Sequence, residues 1–121
     1  MTAGIMPRAD EMKAEKNGFV LVVELEEDHL DTRNVDAFKN DIKPFSEGES
    51  FILLDLSRVR FVDSSGLGAI LSVLRQLSLR HGKLKICNAA KSVRVLFDLV
   101  RLDKIIDIYE TSEAALSSFP R

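Results

Sequence analysis

Between two apolar runs the chain reads "FVDSSGLGAIL", residues 61–71, with an acid, two hydroxyls and two glycines inside six positions. A serine beside an acid can be a nucleophile, a glycine-rich turn can cradle a phosphate, and an exposed hydroxyl can accept a phosphoryl group. Any of the three polar residues can also cap a helix. Each chemistry demands different neighbours. A nucleophile elbow needs glycine two residues before and after the serine. Ser64 has Val62 upstream and Gly66 downstream, and His29 and His81, the only histidines, belong to no motif tying them to it. A P-loop needs Gly-Lys followed by Ser or Thr, which does not occur. Gly66 and Gly68 form a G-x-G, but Leu71 stands where a third dinucleotide-binding glycine belongs. One cysteine, Cys87, and two scattered histidines give no metal-ligand spacing.

Two readings remain. Asp63, Ser64 or Ser65 caps a helix, taking bonds from its unsatisfied N–H groups and contributing about 1 kcal/mol. Alternatively, a partner kinase phosphorylates one of the serines, at a helix start whose free amides and positive dipole end suit a phosphate. In that case the glycines would let a partner's backbone come close.

The elements that position this stretch follow from periodicity. "FVLVVELE", residues 19–26, is rich in β-branched residues and reads as a strand, and "EDHLD" as a loop. Asn34 is placed to cap a helix with Val35, Phe38 and Ile42 inward, ended by Pro44 and Gly48. "SFILLDLS", residues 50–57, reads as a strand covered on both faces, with "RVRFV" as a loop after it. From Ser65 to Arg80, Leu67, Ile70, Leu71, Leu74 and Leu77 share a helical face closed by His81 and Gly82. "KLKICNA" is the next strand, and Val93, Leu96, Phe97 and Val100 mark the next helix. "KIIDIYE", residues 104–110, is the last strand, and Thr111 or Ser112 caps a final helix through "EAALSSF". Alternating strands and helices predict an α/β fold with helices packed against a sheet. Loops at the carboxyl ends of strands gather on one edge in such folds, so "HLD" and "VDSSG" should be neighbours.

Composition narrows the function. At 121 residues with 45% hydrophobic residues, the chain suits one domain with its own core. Its 17 basic and 19 acidic residues leave a formal charge of −2, without the basic excess of a direct nucleic-acid binder. Arg75, Arg80, Lys83, Lys85, Lys91 and Arg94 read as a solvated face. No segment approaches the roughly 20 apolar residues of a membrane span, so no membrane insertion is expected. A lone cysteine cannot form an internal disulfide, which suits a cytoplasmic location, and Cys87 reads as a small buried hydrophobe. Residues 1–18 are polar and aperiodic and read as a flexible arm before a domain over 19–121. Val95, Leu99 and Leu102 add a second apolar stripe, either a contact surface or a helix buried on two sides.

"FVDSSGLGAIL" resembles the signature of STAS-domain anti-sigma factor antagonists, the bacterial partner-switching proteins. The resemblance continues in order from Phe19 to Phe119, through "HLDTRN", "ILLDLSRVRFVDSSGLG" and "VRVLFDLVRLDKIIDIYETSEAAL". It implies a single STAS-like α/β domain with a mixed β-sheet and helices against it. It further implies a protein without catalytic activity that binds an anti-sigma factor/serine-protein kinase and so frees a sigma factor. The serine after the aspartate, here Ser64, would be phosphorylated by that kinase, ending the binding. No cofactor is then needed, since ATP and Mg²⁺ belong to the partner kinase. The implied contact surface comprises Asp31, Asp63, Ser64, Ser65, Gly66 and Gly68, and homodimerisation stays open. The family's loop commonly reads Gly-Glu-Leu-Asp, whereas this chain has Asp28, His29, Leu30 and Asp31. The alternative is a STAS scaffold subunit of a signalling assembly or transporter, with a purely structural Ser64.

Overall fold

A computed structural model describes residues 12–120. Its five-stranded sheet has β1 (Met12–Asn17) at one edge, then β2 (Val20–Leu25), β4 (Phe51–Asp55), β6 (Lys83–Cys87) and β7 (Asp107–Tyr109). β1 runs antiparallel to β2 and the other neighbours are parallel, so the sheet is mixed as expected. Two short strands outside it, β3 (His29–Leu30) and β5 (Phe61–Val62), pair in parallel with each other.

Residues 12–17, expected to belong to a flexible arm over 1–18, form a strand instead. Met12 and Ala14 are buried and alternate with exposed Lys13 and Glu15, so "MKAEKN" is an edge strand with one wet face. Its alternation is faint because only two of its six residues are apolar. Asn17 pairs with Val20 across a two-residue turn in which Gly18 has φ +63°, a left-handed conformation that glycine adopts without a steric penalty. The rest of that expected arm, residues 1–11, lies outside the described residues.

Side chains alternate across the sheet. Leu21, Val23, Ile52, Leu54, Leu84 and Ile86 join the large core beneath three helices: α1 (Val35–Gly48), α2 (Ser64–Ser78) and α3 (Lys91–Leu99). Val20, Leu53 and Cys87 face the other way, under the short α4 (Ser112–Ser118) and Phe119. Ile52, Leu53 and Leu54 are at most 1% exposed, so β4 is covered on both faces. Burying each such side chain contributes roughly 1.5–3 kcal/mol. Lys85 departs from the solvated face expected of it. It sits under α4, donating to the Ser118 carbonyl and hydroxyl at 3.1 and 2.9 Å, with its ammonium over the Phe119 ring.

Several boundaries moved for local reasons. Pro44 lies inside α1 instead of ending it. The carbonyl it leaves without a helical donor, that of Asn40, belongs to an exposed residue that water can satisfy. Leu102–Lys104 is a 3₁₀ turn entered through Arg101 at φ +59°, which shortens the last strand to Asp107–Tyr109. Thr111 caps α4 by accepting from the Ala114 N–H at 3.1 Å.

Candidate functional site

The carboxyl ends of β2, β4 and β6 lie on one edge, where β3 and β5 bring the two chemically suggestive loops together. Leu30 and Val62 turn inward at 0% and 6% exposure, while Phe61 beside Val62 stays 54% exposed. The Asp63 N–H then donates to the Leu30 carbonyl at 3.4 Å.

Asp63 does two jobs with one carboxylate. Oδ1 accepts from the Gly66 N–H at 2.9 Å, capping α2, and Oδ2 accepts from the Thr32 N–H at 3.3 Å, tying the other loop to the same helix. Its negative charge also suits the positive end of the helix. Of the three candidate caps, therefore, Asp63 fills the role. Ser64 becomes the first residue of α2 with an exposed side chain, and Ser65 is partly buried.

The two glycines of the G-x-G differ sharply. A Cβ on Gly66 would lie 2.0 Å from the Leu30 carbonyl oxygen, so only glycine lets the loop close against the helix. Gly68 is exposed, and a Cβ there would meet nothing within 4 Å. The first holds the site's shape; the second presents bare backbone.

Asp31 is 4% exposed and is held from several directions. Its carboxylate accepts from the Arg33 N–H at 2.9 Å and from the guanidinium, closest at 2.7 Å to Nη2. The Arg33 guanidinium holds the Asp31 carboxyl below its ordinary value of 3.8, against the opposing pull of desolvation. The Asp31 carbonyl accepts from the N–H groups of Asn34 and Val35 at 3.1 and 2.9 Å. Asn34 does not cap α1 with its side chain as expected. It accepts from the Asp31 N–H at 3.0 Å and donates to the His29 carbonyl at 2.8 Å, pinning the loop before the helix begins. Asp28, the departure from the family's usual glycine, bonds His29 Nδ1 at 2.9 Å, and that bond lowers the Asp28 carboxyl.

All six expected site residues thus belong to one edge: Asp31 on one loop, and Asp63, Ser64, Ser65, Gly66 and Gly68 at the start of α2. Asp31 and Gly66 are turned into the structure, whereas Ser64 and Gly68 face out. Sequence reasoning missed Thr32 and Arg33; the Asx turn that Asp31 makes with the Arg33 N–H was the available signal.

No described feature assembles a nucleophile around Ser64. His81 lies beyond the far end of the 15-residue α2, roughly 20 Å away by helical rise. Among the described residues no hydrogen bond joins His29 to Ser64. A recess of about 430 Å³ between α3 and β7, lined by residues such as Lys91, Arg94 and Tyr109, shares no residue with the Ser64 cluster. Cys87 is buried, and desolvation foremost pushes its thiol up to about 12, which suppresses thiolate chemistry. No described helix is long and apolar enough to cross a membrane.

Comparison with known proteins gives this arrangement a lineage. The chain is 36% identical over 66 residues to the anti-sigma F factor antagonist of Paenibacillus polymyxa, a match covering 54% of this chain and only 56% of that relative. It is 28% identical over 87 residues to the anti-sigma-B factor antagonist of Bacillus subtilis, covering 72% and 80% of the two chains. The unphosphorylated form of the anti-sigma factor antagonist SpoIIAA superimposes with a TM-score of 0.72 at 25% identity, over 88% of this chain and 93% of that one. SpoIIAA, a Bacillus cell fate determinant, in its phosphorylated form superimposes with a TM-score of 0.66 at 25% identity, over 88% and 96%. The STAS domain profile matches residues 11–115, spanning every element from β1 to most of α4, and the chain is a member of the STAS domain family.

Proposed function

We propose that this protein is a cytoplasmic anti-sigma factor antagonist that binds an anti-sigma serine kinase when unmodified, and that phosphorylation of Ser64 ends the binding. The observation that carries the proposal is the division of labour at the start of α2. Asp63 caps the helix, so the exposed Ser64 hydroxyl has no capping role to fill. The names of the relatives and the two phosphorylation states solved for SpoIIAA support the same reading. In the transfer, Ser64 Oγ bonds to the γ-phosphorus of ATP as the bond to ADP breaks. The hydroxyl proton leaves to a base of the kinase, which also supplies the Mg²⁺ site. The product carries about −1.5 to −2 charges where the start of α2 otherwise presents a neutral hydroxyl and the Gly68 backbone. Asp31, Asp63, Ser65 and Gly66 shape that surface, and Ser64 and Gly68 meet the partner.

Incubation with the cognate kinase and ATP, followed by peptide mass mapping, should place the phosphate on Ser64. Ser64→Ala should bind the kinase and become insensitive to ATP, while Ser64→Asp should bind more weakly. Modification of Ser65 instead, or loss of binding by a folded Ser64→Ala, would overturn the proposal and favour a scaffold role with a structural serine.

A further inference from the structure

The loop held against α2 carries a cation with an unusual position. Arg33 follows Thr32, whose N–H is fixed on the Asp63 carboxylate at 3.3 Å, one residue before Ser64. The Arg33 side chain is 66% exposed, yet its guanidinium folds back onto Asp31, whose side chain is only 6% exposed. The contacts are Nε to both carboxylate oxygens at 3.1 and 3.2 Å and Nη2 to Oδ2 at 2.7 Å. Asp31 does not depend on the guanidinium alone, because the Arg33 backbone N–H also reaches Oδ1 at 2.9 Å. The cation can therefore swing away while the carboxylate keeps a partner.

We propose that Arg33 is the internal receiver of the Ser64 phosphate: once Ser64 is modified, the guanidinium moves from Asp31 to the phosphate. This rests on the phosphorylation of Ser64 proposed above. A phosphate near neutral pH offers more charge than a carboxylate and three strong acceptor oxygens, matched to the planar fork of an arginine. The immediate surroundings favour a local cation, since Asp28, Asp31 and Asp63 all crowd the same edge with His29. Arg60 is the rival. It lies four residues before Ser64, with its N–H on the Asp28 carbonyl at 2.7 Å and its own carbonyl accepting from Ser92. Its position in the loop before β5 does not share the Thr32 tether to Asp63. The consequence is that phosphorylation also uncovers the Asp31 carboxylate by drawing the guanidinium away, while the backbone bond from Arg33 N–H keeps the loop in place. The off state then differs from the on state in two places a partner would touch.

The test installs phosphoserine at position 64 of the full chain by genetic code expansion, so that no kinase is required, and follows the phosphorus resonance through a pH titration. Free phosphoserine titrates near pH 6, and in the wild-type background the group should titrate below that value. Arg33→Gln should raise the midpoint by about one unit, Arg33→Lys should retain most of the depression, and Arg60→Gln should leave it in place. In ¹⁵N spectra the Arg33 Nε–H resonance should move on modification, while thermal melts show each variant folded. An unchanged midpoint in Arg33→Gln, or a shift that follows Arg60 instead, overturns the receiver role. Failure of the kinase to modify Ser64 strikes only the functional reading, because the titration does not involve the kinase.

Discussion

Two surfaces of this domain invite a partner, and they are built in opposite ways. At the Ser64 edge, side chains of Asp31, Asn34 and Asp63 bond to backbone groups and fix two loops against each other. What this edge shows to solvent is small and neutral at Ser64 and Gly68. On the flank of α3 and the 3₁₀ turn, Val95, Leu99, Val100 and Ile105 are 46–77% exposed. The expected second stripe divides there, since Leu102 is buried while Val95 and Leu99 are not. The flank has contact area without prearranged geometry; the edge has geometry with little area. A modification that adds charge acts most strongly where the receiving shape is already fixed, which is why the edge suits a switch and the flank does not.

The contrast can be broken most severely at Gly66. Gly66→Ala forces a Cβ toward the Leu30 carbonyl, so it should cost about 3 kcal/mol or more, read as a large drop in the thermal midpoint. A melt like the wild type would mean that the loop is not locked to the helix. Asp63→Ala removes the cap and the Thr32 tie together and should cost about 1–2 kcal/mol in chemical denaturation. Ser64→Ala should stay within about 0.5 kcal/mol, and equal losses for the two would return the capping role to the serine. Gly68→Arg sharpens the contrast from the binding side. Its melt should hold or rise, since glycine is a poor residue within a helix. Kinase affinity should fall at least tenfold, about 1.4 kcal/mol, in a titration. The smallest effect belongs to the flank, where Leu99→Ser should change stability by no more than about 0.5 kcal/mol and leave kinase affinity unchanged. A loss of affinity there would move the contact surface onto α3.

Much of this was legible in the chain, for identifiable reasons. The buried run in "SFILLDLS" and the leucine stripe after Ser64 announced β4 and α2, because burial there is dense and periodic. The junction of "HLD" with "VDSSG" followed from strand ends sharing an edge. β1 escaped because an edge strand needs one apolar face only, and Met12 and Ala14 are a sparse signal. Lys85 misled because its charge is neutral evidence about burial once the α4 terminus supplies acceptors. The split between Gly66 and Gly68 was invisible, since the Leu30 carbonyl that decides it comes from a residue 36 positions away.

The antiparallel turn between β1 and β2 has a practical side. It sets Met12 opposite Leu25, at the Ser64 end, while α4 returns toward the start of the parallel strands and leaves Phe119 beside Phe51, ring centroids 5.8 Å apart. The two ends of the described chain thus emerge at opposite poles. A fluorophore, affinity handle or surface tether attached at Pro120 leaves the Ser64 pole outward, whereas one attached at Met12 lies at the pole being measured. Immobilised at Met12 itself, the domain would be mounted with Ser64 toward the support.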